Sequence, residues 1–130
     1  MAPASQRVLV VDDDPDIRET LSEILAGSGY EAVCAGDGAE ALAALRAPGP
    51  RPGVVLLDLM MPVMSGWQFR EEQLRDAAIA DVPVVVITAQ ARVDSGGSPL
   101  DAAATVHKPF RIDDLLATIE RVLERHGRKK

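Results

Sequence analysis

Apolar and polar positions along this chain fall into two alternating patterns. Short apolar runs rich in Val, Ile and Leu, bounded by Gly, Pro or Asp, are typical of strands buried on both faces of a parallel sheet. The clearest such run is Val54-Val55-Leu56-Leu57, which leads directly into Asp58. The predicted strands are residues 7–11, 31–35, 54–57, 83–88 and 105–107.

Between the strands, apolar residues recur at the three- and four-residue spacing of helices. Asp14 before Pro15 and Asp37 before Gly38 are expected helix starts, and Gly27 is an expected stop. The predicted helices are residues 15–27, 39–45, 66–74 and 112–123. The connection from 88 to 105 differs because its glycines and proline disfavour a helix, so a short or irregular fourth helix is expected there.

This alternation predicts an α/β domain: a doubly wound, five-stranded parallel sheet with helices on both faces. We expect a disordered N-terminus over residues 1–6, one domain over 7–125 and a basic tail over 126–130. Two smaller predictions concern burial. Cys34 is expected to be a small buried apolar residue, and His107 to be partly buried.

Composition and charge narrow the classes of partner. The 130 residues carry a net charge of −6, which argues against unspecific binding to nucleic acid or to an anionic membrane. No apolar run is long enough to cross a bilayer, and no signal peptide precedes the first strand. With one cysteine and no disulfide, a cytoplasmic location is expected.

Polar residues collect where the predicted strands end. Asp12 and Asp13 follow the first strand, Asp58 follows the third, Thr88 ends the fourth and Lys108 follows the fifth. In a doubly wound sheet these ends meet at one edge. Taken alone, Asp58 remains open to four roles: nucleophile, metal ligand, helix cap or solvated turn residue.

Together these residues favour phosphoryl transfer. Three carboxylates at one edge repel each other unless a cation is present, and a site with oxygen ligands alone suits Mg²⁺. The Thr88 hydroxyl and the Lys108 ammonium suit a transferring phosphoryl group. Asp58 is then the nucleophile, which forms an aspartyl phosphate.

Four segments carry a resemblance to a known family. They are Val-Leu-Val-Val-Asp-Asp-Asp-Pro, Val-Val-Leu-Leu-Asp-Leu-Met-Met-Pro, Val-Ile-Thr-Ala and Lys-Pro-Phe. In order and spacing the chain resembles the receiver domain of two-component response regulators, of the single-domain, chemotaxis-regulator-like kind, from about Arg7 to Arg125. The resemblance implies a flavodoxin-like strand order, 2-1-3-4-5.

The resemblance also implies a role for each matching residue. Asp58 matches the phosphoacceptor, Asp13 a direct Mg²⁺ ligand, and Asp12 its neighbour that holds metal-bound water. The main-chain carbonyl of Met60 would complete the metal site. Thr88 matches the switch hydroxyl, and Lys108 the lysine that pairs with the phosphoryl group. The Lys108–Pro109 bond is expected to be cis, and Asp14 is mainly a helix cap.

The implied function is that of a phosphoacceptor in a two-component phosphorelay. A histidine kinase or histidine phosphotransfer protein would donate a phosphoryl group to Asp58, and the change would switch a protein-interaction surface for an unknown downstream protein. Such a domain assists its own phosphorylation and dephosphorylation but is a signalling module, not an enzyme. A stand-alone regulator without nucleic-acid or membrane contacts is expected, as a monomer or weak dimer.

Two positions depart from the family. Thr105 stands where the family usually has Tyr or Phe, so a coupled threonine–aromatic switch is not expected to work in the usual way. Met60 is bulky and apolar, which predicts a long-lived phosphoryl group because it would obstruct an attacking water.

Two alternatives stay open. The first is a receiver-fold binding module with vestigial phosphorylation that binds a partner constitutively, which the complete set of site residues disfavours. The second is a small phosphatase or other hydrolase, which would need a further acid/base pair that the sequence does not offer.

Overall fold

The computed structural model describes residues 6–48, 51–58, 66–88 and 102–127. In chain order the elements are β1 (Arg7–Val11), α1 (Pro15–Gly27), β2 (Glu31–Ala35), α2 (Gly38–Arg46), β3 (Val54–Asp58), α3 (Gly66–Arg75), β4 (Val84–Thr88), β5 (Ala104–His107) and α4 (Ile112–Gly127). Residues 89–101, where a short or irregular fourth helix is expected, lie outside these ranges, as do residues 1–5 and 128–130 of the two predicted tails.

All strand pairs are parallel, and the sheet order is β2-β1-β3-β4-β5. The predicted fold class and the strand order that the resemblance implied are therefore confirmed. In this order β1, β3 and β4 lie inside the sheet, and β2 and β5 form its edges.

Side chains of the inner strands alternate between two apolar layers. Leu9, Val11 and Leu57 belong to the layer under α2 and α3. Val8 and Val10 belong to the opposite layer, which α1 and α4 cover. Because both faces are covered, β3 and β4 are buried at every position, as their uninterrupted apolar runs predict.

The starts of α1 and α2 are fixed by capping side chains. Asp14 Oδ1 accepts a hydrogen bond from the Asp16 N–H at 2.9 Å, and Pro15 occupies the first turn. Asp37 Oδ1 accepts from the Glu40 N–H at 2.9 Å. Both caps agree with the sequence prediction, and both lie at the edge of the sheet where the strands end.

The inner face of α3 is polar as well as apolar. Phe69 is fully buried, while Leu74, an apolar residue of the same predicted helix, is 41% exposed. Gln73 is fully buried, and its Nε2 donates to the carbonyls of Ile79 at 2.8 Å and Val82 at 3.0 Å. Its Oε1 accepts from Arg70 Nη1 at 2.6 Å. This network attaches α3 to the connection that leads into β4.

Both burial predictions for edge-strand residues are wrong. Cys34 is exposed, and its Sγ lies 3.1 Å from the Ser22 Oγ of α1. His107 is exposed on β5, on the opposite side of the strand from the buried Val106. At the two edges of the sheet, the alternation of side chains along a strand does not show whether a neighbouring element covers them.

We expect Gln73→Leu to lower the free energy of unfolding by about 2–4 kcal/mol, because it leaves two buried carbonyls and a buried guanidinium without this partner. Urea denaturation measures the loss. The same substitution at Gln6, which is exposed just before β1, should change stability by about 0.5 kcal/mol or less. Equal losses at both positions would contradict the role of the network.

Candidate functional site

The neighbouring positions of β1 and β3 bring three carboxylates together. Val11 pairs with Leu57, so Asp12, the next residue of its chain, leaves the sheet beside Asp58. One carboxylate oxygen from each of Asp12, Asp13 and Asp58 lies within 4.8 Å of the others. Asp12 and Asp58 are 4% and 8% exposed, whereas Asp13 is open to solvent.

Asp12 is held on several sides. Its N–H donates to the Ala35 carbonyl of β2 at 3.1 Å, and its Oδ1 accepts from the Asp14 N–H at 2.9 Å. Its Oδ2 lies 3.9 Å from Lys108 Nζ, an ion pair across the end of the sheet. The acid is therefore oriented before any ligand arrives.

The pKa of Asp12 is raised above its ordinary value of 3.8. Burial of the carboxyl group is the main cause, and the negative charges of Asp58 and Asp13 add to it. The Asp14 N–H and Lys108 act in the opposite direction without cancelling the rise. The ionised form of Asp12 is therefore disfavoured in the folded domain, mainly because the carboxyl group is buried.

Thr88 and Lys108 lie at the ends of the adjacent strands. Thr88 is the last residue of β4 and is fully buried, and its carbonyl accepts from the Lys108 N–H at 2.8 Å. The Lys108–Pro109 peptide bond is cis, as the resemblance implied. Thr105 is exposed on β5, one residue before the buried Val106.

The donor set fits a hard divalent cation. Three carboxylates converge with no His or Cys among them, which is the oxygen-only chemistry that Mg²⁺ prefers. The structure thus places together Asp12, Asp13, Asp58 and Lys108, with Thr88 on the neighbouring strand end. Met60, the remaining predicted ligand, lies outside the described residues.

One residue near the acids was missed in the sequence. Arg18 of α1 reaches back, and its Nη1 donates to the main-chain carbonyl of Asp12 at 2.7 Å. An arginine in an exposed-looking helical turn carries no signal of such a contact. Its spacing of six residues from Asp12 matches no standard helical or capping pattern.

The family of the chain follows from comparison with known proteins. Residues 8–120 match the model of the response regulator receiver domain. The chain therefore belongs to the response regulator receiver domain family, which confirms the resemblance seen in the sequence. None of the described helices combines the length and the apolar character needed to cross a membrane.

The relatives include curated response regulators and solved structures of response regulators and receiver domains. The DNA-binding response regulator MtrA of Mycolicibacterium smegmatis is 39% identical over 123 residues, which are 93% of this chain and 52% of MtrA. The chain thus spans about half the length of the curated relatives it matches.

Two solved structures share the fold closely. The chemotaxis protein CheY4 of Vibrio cholerae superposes with a TM-score of 0.81 at 35% identity, covering 92% of this chain and 99% of that one. The response regulator TrrA of Thermotoga maritima, solved in complex with Mg²⁺-BeF, has a TM-score of 0.79 at 34% identity, covering 90% and 98%.

Because the pKa of Asp12 is raised, its ionised carboxylate is expected to lower the stability of the fold in a pH-dependent way. Above pH 3.8 the folded state holds this proton more tightly than the unfolded chain does, so stability falls as pH rises through the folded pKa. We expect Asp12→Asn, without divalent cations, to be more stable than the parent at pH 7, and this gain to vanish below pH 3.8.

Urea denaturation in a chelating buffer at several pH values measures this difference. Glu124→Gln, which neutralises an exposed carboxylate of α4, serves as the control and should show no comparable gain. A less stable Asp12→Asn protein at pH 7 would mean that the charge of Asp12 is already compensated.

Proposed function

We propose that this chain is a phosphoacceptor of two-component signalling, with Asp58 as the residue that is phosphorylated. The observation that carries the proposal is the convergence of Asp58 with Asp12 and Asp13 within 4.8 Å, with Lys108 3.9 Å from Asp12. Membership of the receiver family supports this assignment. The donor is the phosphohistidine of a histidine kinase or a histidine phosphotransfer protein.

The transfer is a displacement at phosphorus. An ionised oxygen of Asp58 attacks the phosphoryl group, an O–P bond forms, the N–P bond of the phosphohistidine breaks, and the electron pair returns to the imidazole. Asp58 is the last residue of the inner strand β3, and its side chain is nearly but not fully covered, at 8% exposed.

Asp12 and Asp13 are the residues that would hold Mg²⁺ together with Asp58, and the Met60 carbonyl is a further proposed ligand. When bound, the ion neutralises charge on the transferring phosphoryl oxygens. The support from relatives is the Mg²⁺-BeF complex of TrrA. Asp12 is already aligned by its bonds to Ala35 and Asp14, so little reorganisation is needed to bind the cation.

Lys108 and Thr88 would respond to the new charge. The Lys108 ammonium is shared with Asp12 at 3.9 Å, a loose pair from which it can turn to a phosphoryl oxygen. The Thr88 hydroxyl is a second donor, at the end of β4. The Thr88 carbonyl accepts a hydrogen bond from the Lys108 N–H. The backbone segments that carry the two donors are therefore linked, and we expect them to move together.

The output is a switched protein-interaction surface near β4 and β5. Thr105 is small and exposed there, so we propose that the switch works without an aromatic side chain. The domain acts in signalling and assists its own phosphorylation and dephosphorylation.

The absence of nucleic-acid binding is proposed for the receiver domain only. Its net charge of −6 repels a phosphate backbone. MtrA, of which the chain covers about half, is named as a DNA-binding regulator, so the proposal does not extend to the other half of such a protein. The expected monomer or weak dimer stays a prediction.

Phosphorylation at Asp58 is tested by incubating the protein with Mg²⁺ and acetyl phosphate and measuring the intact mass. We expect a gain of one phosphoryl group in the parent and in Asp81→Asn, an exposed control, and no gain in Asp58→Asn. An unmodified parent would favour the constitutive binding module, and an equal gain in Asp58→Asn would place the acceptor elsewhere.

Thr88→Val should separate phosphorylation from the switch, because it keeps the volume of a fully buried side chain and removes its hydroxyl. We expect the variant to be phosphorylated while losing the change in amide exchange over Ala104–His107 that the parent shows. Thr118→Val, on α4, is the control and should respond like the parent. A normal exchange response in Thr88→Val would remove the hydroxyl from the mechanism.

A further inference from the structure

Arg18 is tied to the backbone that carries the two acids after β1. Its Nη1 donates to the Asp12 carbonyl at 2.7 Å, a short bond from a charged donor. The Asp12 N–H is bonded to Ala35 and its Oδ1 to the Asp14 N–H. Arg18 therefore supplies the contact to the remaining polar group of this residue, its carbonyl.

The Asp12 carbonyl controls the direction of Asp13. The carbonyl of Asp12 and the N–H of Asp13 belong to one planar peptide group, so fixing the oxygen fixes the plane from which Asp13 departs. Asp13 is exposed, so packing does little to hold its side chain, yet its carboxylate converges with those of Asp12 and Asp58. The orientation of that peptide plane is thus a main constraint on the acid.

The guanidinium of Arg18 lies against a glycine that leaves room for it. A Cβ at Gly36 would lie 3.3 Å from Arg18 Nη1 and 3.3 Å from Glu40 Oε1. Glu40 holds this glycine in turn, because its Oε1 accepts from the Gly36 N–H at 2.6 Å. The guanidinium of Arg18 therefore packs against the start of α2 and the turn after β2.

We propose that Arg18 is a positioning residue for the cation site, which orients Asp13 through the Asp12 carbonyl and is itself seated on Gly36. The inference rests on the proposed function, since it concerns the Mg²⁺ that Asp12, Asp13 and Asp58 would hold. Arg18 contacts none of the reacting atoms. Its role is to present the exposed acid in the geometry that a cation needs.

The sign of the effect separates positioning from charge. A cationic side chain close to the site opposes the binding of a second cation, so removing Arg18 would tighten Mg²⁺ binding if only its charge mattered. If Arg18 orients Asp13, removal instead weakens binding. The expected loss is about fivefold to tenfold in Kd, the fold-change for the net free energy of one ordinary hydrogen bond, because Arg18 acts on the cation only through the orientation of Asp13.

The test is titration of the parent and variants with Mg²⁺ by calorimetry, with folding of each checked by urea denaturation. We expect Arg18→Met, which keeps much of the apolar stem, to raise the Kd, and Arg18→Lys to recover part of the loss. Arg7→Met is the control, because it removes the same charge at the start of β1, about 17 Å from Asp12 along the strand. It should leave the Kd unchanged.

A second arm uses Gly36→Ala, which displaces the guanidinium without altering it. It should raise the Kd in the parent and have no further effect when combined with Arg18→Met, because both changes act through one contact. An additive effect in the double variant would show that the two positions act separately and would overturn the seating of Arg18 on Gly36.

The outcomes distinguish this inference from the proposed function. If the parent itself binds no Mg²⁺, the proposed metal site fails and the role of Arg18 fails with it. If the parent binds Mg²⁺ and a folded Arg18→Met protein binds it equally well or more tightly, only the positioning role is overturned. Weaker binding in Arg18→Met, with partial recovery in Arg18→Lys, supports it.

Discussion

The arrangement depends on one constraint: β1 and β3 are neighbours inside a parallel sheet that is covered on both faces. Their register is set by apolar rows that must face α2 and α3 on one side and α1 and α4 on the other. Because side chains alternate along a strand, a shift of β3 by one residue would exchange its side chains between two differently packed layers and would move Asp58 away from Asp12. The same register places Asp12 beside Asp58, so the geometry of the acids is maintained by the hydrophobic core and not by attraction between them.

Electrostatics within the site oppose the packing that creates it. Burial and neighbouring carboxylates raise the pKa of Asp12, and only the Asp14 N–H and Lys108 act against them. Because packing of the core holds these like charges close together, binding of a positively charged ligand is favoured. Among the described residues, two cationic side chains contact Asp12 at different groups: Lys108 faces its carboxylate, and Arg18 donates to its carbonyl.

Much of the fold could be predicted from the sequence. Uninterrupted apolar runs are typical of strands buried in a parallel sheet, and apolar residues at three- and four-residue spacing are typical of helices. The convergence of Asp12, Asp13 and Asp58 followed from the fold class. Cys34 and His107 could not be placed because cover at a sheet edge depends on neighbouring elements. The contacts of Gln73 and Arg18 could not be predicted. A polar residue on a helix is expected to face solvent, and the partners of these two residues are distant in the sequence.

The raised pKa of Asp12 has a consequence for how the site is loaded. A cation that requires the ionised carboxylate competes with a proton that the folded domain retains more strongly than a free aspartic acid does. Cation uptake and proton release are therefore linked, and acidification lowers the apparent cation affinity even where the fold is unchanged. At the proposed Mg²⁺ site, protons and cations would therefore act in opposite directions on the occupancy of the acids.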